Sequence, residues 1–266
     1  MGDLDQCAFV LTDAVKAATL ERFAEHRRAW EHNPALRTLY GGWYERIAAV
    51  LAGAPVGPRL ELGSGPGFAR AFIPDLELTD LVAAPWHDRQ LSADDLPFER
   101  GSVAALVLFD VLHHLPSARA FFREADRVLR PGGLVVLCEP YIGPISYPVY
   151  KFLHEEPVDT RADAIGQDLD STADPEHEKD PFDSNQAIPT ILFGRQRRQF
   201  QQTFPALRVV SVEKLAGLSY PASGGFSRGP VLPLRLWRGL VALERRLPSI
   251  AFSLIGFRML VVLRKE

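Results

Sequence analysis

The feature that most constrains this chain is a strand that runs straight into glycines. Arg59–Leu62 is a short apolar run, and glycine follows at 63, 65 and 67 with Pro66 among them. Glycine lets the backbone turn sharply and approach another group closely. Strand and helix signals alternate from there. Strands fit Arg59–Leu62, Glu77–Leu81, Ala104–Phe109 and Leu134–Glu139, a short helix fits Phe68–Ile73, and a longer one fits Ser117–Leu129. Arg130-Pro131-Gly132-Gly133 then stops that helix and turns the chain. Strands joined by helices predict a parallel sheet, because parallel neighbours need a crossover between them. The glycine turn then lies at the carboxyl end of the first strand, where such sheets take their ligands.

The flanking segments fill out one domain. Thr12–Trp30 and Leu36–Leu51 have helical apolar spacing and are separated by Asn33-Pro34. Beyond Glu139, Tyr147–Leu153 is aromatic and apolar. From Glu155 to Asp183 eleven acids face two bases, a density of like charge that predicts a solvated loop. Leu192–Phe204 reads as helix, and Leu207–Leu215 and Phe257–Arg264 as strands, with Ser223-Gly224-Gly225-Phe226 and a helix-like run, Leu232–Leu247, between them. We expect residues 1–55 to form a helical cap, 56–140 the core, 141–205 an insertion and 206–266 the last strands with an inserted helix. A net charge of −3 offers no basic field for nucleic acid. Cys7 and Cys138 lie far apart, which suits a reducing compartment and no structural zinc. The acidic N-terminus has no apolar core of a secretory signal, so the expected location is cytoplasmic. Oligomeric state is open.

The turn's own residues exclude two ligand classes. A dinucleotide fingerprint needs glycine or alanine where this chain has Phe68, and Pro66 brings no N–H to a pyrophosphate. No Lys-Ser/Thr pair follows the glycines, so there is no P-loop. A tight turn with no ligand stays open on these residues alone.

Four segments occur in order from about Leu60 to Pro140: "LELGSGPG", "LELTDL", "DDLPFERGSVAALVLFDVLHHL" and "READRVLRPGGLVVLCEP". With "FRMLVVLRK" near the end, they resemble the class I S-adenosylmethionine-dependent methyltransferases, of the bacterial small-molecule, methyltransferase type 11-like kind. The resemblance implies an α/β fold, a Rossmann-like sheet with helices on both faces, mostly parallel with an antiparallel C-terminal strand. It implies S-adenosyl-L-methionine as cofactor and a small-molecule acceptor. Gly63, Ser64, Gly65 and Gly67 then form the close turn, Glu61 holds the cationic tail, and Asp80 accepts the ribose hydroxyls. Ser92, Ala93 and Asp94 lie on the adenine side. Ser92 stands where the family has an aspartate, so Asp94 or Asp88 is a candidate substitute. Trp86 either covers the adenine or packs in the core.

Phe109, Asp110, His113 and His114 fall where the family lines the pocket near the methyl. A histidine there suits a base at neutral pH, and a structural hydrogen bond is its competing role. Tyr141, Tyr147, Tyr150, His154, Glu155, Asp183 and Asn185 are candidates for the acceptor pocket. His154-Glu155-Glu156 reads as a solvated acidic patch, and no metal is expected. The arginine-flanked Leu232–Leu247 run fits packing over the core, or contact with a membrane surface or lipid-linked substrate. The expected activity is O-methylation of a sugar, polysaccharide precursor or natural product. The rivals are the same fold without catalysis, or a methyltransferase acting on RNA or protein.

Overall fold

The computed structural model describes residues 11–154, 156–166 and 184–266. At its centre lie seven strands: β1 (Arg59–Leu62), β2 (Glu77–Asp80), β3 (Arg89–Gln90), β4 (Val103–Phe109), β5 (Leu129–Pro140), β6 (Leu207–Leu215) and β7 (Arg258–Lys265). They form one sheet in the order β3-β2-β1-β4-β5-β7-β6. β1 to β5 pair in parallel, and β7 runs antiparallel to both β5 and β6. This is the mostly parallel α/β sheet that the resemblance implied. The chain steps outward from β1 to β3 and then returns to β4 beside β1. The strand order therefore reverses between β1 and β4, which opens a crevice at their carboxyl ends.

β4 reads VAALVLF and is buried throughout, as expected for a strand covered on both faces. Leu106 and Leu108 join Val135 and Leu137 on one face, against α3 (Ala118–Val128), α5 (Ile188–Phe193) and α6 (Arg197–Thr203). Ala105, Val107 and Phe109 join Val136 and Cys138 on the other, against α2 (Pro34–Leu51). α1 (Asp13–His32) precedes α2. α4 (Ser146–Leu153) follows β5, and α7 (Ser219–Ala222), α8 (Leu234–Glu244) and α9 (Phe252–Ile255) lie between β6 and β7.

Helix starts follow from local chemistry. Ser117 Oγ accepts from Ala120 N at 3.0 Å and opens α3. Asn33 separates α1 from α2: its Oδ1 accepts from Ala35 N and Leu36 N, both at 3.1 Å, with Pro34 in the first turn. Its Nδ2 donates to Ser223 O at 2.8 Å, so one buried side chain also fixes the distant 219–226 segment.

Three expectations need correction. The helix expected at Phe68–Ile73 is a single 3-10 turn, Phe68–Ala71. The helix expected at Leu192–Phe204 is two, broken at Gly194, where a Cβ would lie 2.4 Å from Thr190 O. Arg130–Gly133 does not turn the chain away. α3 ends at Val128, Leu129 already pairs with Val103, and a register shift between Val103 and Ala105 absorbs the extra residues.

Replacing Asn33 with Ala removes a helix cap and a buried hydrogen bond, an expected loss of about 2 kcal/mol in urea denaturation. Asn33→Ser keeps an acceptor for α2 but cannot reach Ser223, and its stability should fall between the two.

Candidate functional site

The glycine turn is stitched to β2. Ser64 N donates to Thr79 O at 2.8 Å, Thr79 N donates to Ser64 Oγ at 3.0 Å, and Gly65 N donates to Asp80 Oδ2 at 2.8 Å. Val82 N donates to Asp80 Oδ1 at 3.0 Å. Gly63 and Gly67 have φ of 68° and 77°, and a Cβ would meet Val111 or Trp86 at 2.6 Å, so the turn requires glycine at both places. Trp86 Nε1 donates to Gly65 O at 2.7 Å, and His87 Nε2 lies 2.7 Å from the same oxygen. α1 covers this turn. Arg27 donates to Pro66 O at 2.8 Å and its guanidinium lies 4.4 Å over the Trp86 ring, while Trp30 stacks on Phe68 at 4.1 Å. Phe226 stacks on His26 at 4.5 Å and lies 5.8 Å from the Phe68 ring, so the 219–226 segment closes over the same place.

Glu61 follows from strand alternation. Leu60 and Leu62 face α3, so Glu61 faces α2, where it is 1% exposed with Oε2 lacking any hydrogen bond. Burial pushes its carboxyl up to about 8, against the lowering effect of the Ser64 and Tyr44 hydroxyls. Burial also raises the Asp80 carboxyl, against its backbone N–H donors.

A second cluster sits where β4 and β5 end. Glu139 Oε1 accepts from Val111 N and Leu112 N at 3.0 and 2.9 Å, and Oε2 lies 2.6 Å from His113 Nδ1. The other ring nitrogen of His113 faces Glu156 Oε2 at 3.4 Å, and His114 Nε2 lies 3.8 Å from Glu156 Oε1. Gln186 Nε2 donates to Glu156. Burial alone would neutralise His113, but the hydrogen bond and charge of Glu139, followed by Glu156, push it up to about 10. His114 goes the other way, down to about 3, through burial and the adjacent His113 cation. Glu156 is partly buried, yet His113 and then His114 hold its carboxyl well below the usual range. The two histidines are thus a buried cation and a neutral ring. Asp110, at φ 57°, pairs with Arg258 at 2.5 Å, and the guanidinium also faces Trp43, Phe109 and Tyr220 at 5.3, 5.5 and 5.6 Å.

Several sequence candidates have structural partners instead. Tyr150 is buried and donates to Phe257 O, Tyr141 donates to Ser253 O, and Tyr147 accepts from Lys151. Phe109 is enclosed by Tyr40, Trp43 and Tyr44. Trp86 packs on the turn itself. Ser92 donates its hydroxyl to Asp94, beside the buried Ala93, while Asp88 is engaged by Arg70 and Leu78 N. Asn185 braces the His113 loop: its N donates to His113 O at 3.0 Å, and its Oδ1 accepts from Asp159 N at 3.0 Å. His154 is exposed and accepts from Glu156 N. Glu155 and Asp183 lie outside the described residues, as does most of the acidic stretch. Glu156 is the clearest correction, since it is drawn into the cluster instead of lying in a solvated patch. His113, His114 and Glu156 also bring ligand-type atoms within 4.8 Å of one another, as do Asp110, His113 and Glu139. The protonated His113 is shared between Glu139 and Glu156, and Asp110 is paired with Arg258. Glu139, Glu156, His87 and Arg258 were not among the sequence candidates. The "EP" that closes β5 is the local hint to Glu139.

Residues 60–137 match a family model described as a methyltransferase domain. A protein of Mycolicibacterium smegmatis (strain ATCC 700084 / mc(2)155), described as a probable S-adenosylmethionine-dependent methyltransferase, is 32% identical over 111 residues. That match covers 36% of this chain and 42% of that protein, so the chain spans less than half of the relative's length. The chain has the class I methyltransferase fold. Among solved structures, geranyl diphosphate C-methyltransferase from Streptomyces coelicolor A3(2) is 15% identical at a TM-score of 0.44, covering 85% of this chain and 77% of that one. A geranyl diphosphate methyltransferase solved with its methyl donor is likewise 15% identical, at a TM-score of 0.47, covering 100% and 97%.

The cofactor of this methyltransferase fold is S-adenosylmethionine, and the residues present fit it. The orphaned, buried Glu61 Oε2 suits a cationic amine. The three left-handed glycines give a close turn, and each Asp80 oxygen keeps a lone pair beyond its backbone donor. On the adenine side the Ser92–Asp94 pair supplies a carboxylate where serine alone would not.

Two pH effects are expected. Because Glu61 titrates near 8, cofactor binding at pH 7 should release up to about one proton, and affinity should rise from pH 6 to 8. Calorimetry with S-adenosylhomocysteine in buffers of different ionisation enthalpy measures the release, and Glu61→Gln should abolish it. His113 has a folded pKa raised above its ordinary 6.5, so its contribution to stability is complete below that pH and is lost as pH rises through about 10. His113→Gln should be less stable at pH 6 and show a flatter decline of Tm towards pH 10.

Proposed function

We propose that the protein is an S-adenosylmethionine-dependent methyltransferase that transfers a methyl group to a hydroxyl oxygen of a small molecule such as a sugar or a natural product. The observation that carries this reading is the partly exposed Glu156 carboxylate, held beside the carboxyl ends of β4 and β5 by His113, His114 and Gln186. When bound, the cofactor supplies an electrophilic methyl on a sulfonium. The protein's part is alignment and proton handling. Glu156 can accept a hydrogen bond from the acceptor hydroxyl and orient it. His114, neutral but pushed down to about 3, is too weak a base to keep the departing proton, which passes by way of the partly exposed Glu156 to solvent. His113 is already protonated, so it is a positioning residue that fixes Glu156 through its charge, with Glu139 behind it. Glu61 and Asp80 hold the two polar ends of the cofactor. The net charge of −3 disfavours RNA as the acceptor.

A second reading, the same fold without catalysis, has one observation in its favour. Trp86 and His87 both engage Gly65 O, and α1 lies over them, so the turn is closed by the protein's own side chains.

Calorimetry separates the readings. The methyltransferase should bind S-adenosylhomocysteine, with affinity reduced about tenfold or more in Asp80→Ala; no binding by the unaltered protein would favour the second reading. Methyl transfer from labelled cofactor to a panel of hydroxylated acceptors then tests the activity. Glu156→Gln should lower kcat by about a hundredfold while cofactor affinity stays within about twofold. An unchanged kcat would remove Glu156 from the proposed role.

A further inference from the structure

The α8 helix and the segment after it carry a surface that core packing does not use. Trp237, Val241 and Glu244, at i, i+4 and i+7, face inward. Trp237 is 1% exposed and donates to Ser219 O at 2.8 Å, and Glu244 accepts from Gly217 N, Ser219 N and Ser219 Oγ. These three satisfy the need to cover the protein. A different stripe points outward: Leu236 and Leu243, at i and i+7, are 63% and 58% exposed, with the half-buried Leu240 between them. Of the exposed arginines, Arg235 lies on the arc beside that stripe and Arg246 in the turn just after the helix, while Arg238 and Arg245 fall on the opposite flank.

The charge of this region is opposite to that of the chain. Residues 227–257 hold five arginines and one acid, in a protein of net charge −3. The acid is Glu244, buried and engaged by backbone and hydroxyl donors, so it does not offset the arginines at the surface. The apolar band also continues past the helix. Ile250 and Leu254 are 73% and 58% exposed, and Leu254 O accepts from Ile145 N at 3.1 Å, which places the exposed Ile145 beside them. Ile145 leads into α4, whose far end exposes Phe152 and Leu153 shortly before Glu156.

We propose that this face docks on an anionic lipid bilayer, with the leucine stripe of α8 seated in the headgroup boundary and Arg235 and Arg246 against lipid phosphates. An exposed leucine stripe bordered by arginines is the pattern of a helix that lies in a membrane interface. No helix among the described residues is long and apolar enough to cross a membrane, so the contact is peripheral. A second copy of the chain is a poorer occupant, because two arginine arcs would meet across the contact. The proposal is independent of the methyl-transfer reading.

Flotation of the full chain with vesicles tests it. Vesicles of phosphatidylcholine with about 30 mol% phosphatidylglycerol should carry the protein upward, and phosphatidylcholine alone should retain about tenfold less or lower still. Leu236→Asp with Leu243→Asp should reduce partitioning about tenfold or more, and Arg235→Gln with Arg246→Gln should lower it by about threefold or more with helix propensity kept. Thermal midpoints of the variants control for folding. No flotation of the unaltered protein overturns the proposal. So does flotation of the leucine variant at the unaltered level, which would mark charge adsorption alone. A dimer on size exclusion that the leucine variant dissolves would assign the face to a second copy.

Discussion

One buried carboxylate organises the carboxyl end of this sheet. Glu139 is fully buried at the end of β5, with one oxygen on the amides of residues 111 and 112 and the other on His113. Through His113 it reaches Glu156, so β5, the exit of β4 and the segment after α4 are tied by alternating charges. Such a chain is costly to break in the middle, because removing one member strands its partner away from water. Arg258 makes a parallel tie from β7. Its guanidinium meets Asp110 and is enclosed by aromatic rings, which replace part of the water it has lost. The sheet is held by apolar packing, and the carboxyl ends of its central strands by these ionic links.

Those links divide the two adjacent histidines. His113 is buried and His114 largely so, and desolvation alone would neutralise both. His113 gains two carboxylate partners and keeps its proton, and its charge then helps to neutralise His114. Neighbours with pKa values pushed apart can take different roles on one loop. A matching division exists at the glycine turn, where Asp80 is anchored by backbone donors while Glu61 keeps an oxygen without a partner.

The insertion between β6 and β7 touches both ends of this arrangement. Asn33 holds it at Ser223, Phe226 reaches α1 and the turn, and Glu244 anchors α8 from within. The stretch that closes over the glycine turn is therefore continuous with the one that turns leucines and arginines outward.

The starts of β1, β2 and β6, the Asn33-Pro34 break, the start of α3 after Ser117 and the glycine turn were legible in the residues, because each depends on neighbours a few positions away. Gly63 and Gly67 are required by left-handed backbone within a single loop, and the run of β4 marks a strand covered on both faces. The partners in the cluster were not legible in the same way. Glu156 sits in an acidic stretch whose composition predicts solvation, and its capture depends on a buried imidazolium brought from another loop. Arg258 opens a strand far along the chain from Asp110, and His87 meets Gly65 O only because β2 and the turn come together. Tyr147 and Tyr150 read alike as pocket candidates, yet one meets a lysine and the other a carbonyl of β7's approach. Local backbone preference acts over a few residues and can be read in order. Protonation state and burial are set by whatever the fold brings within a few ångströms, which is why the charge on His113 belongs to the folded protein and not to the two letters "HH".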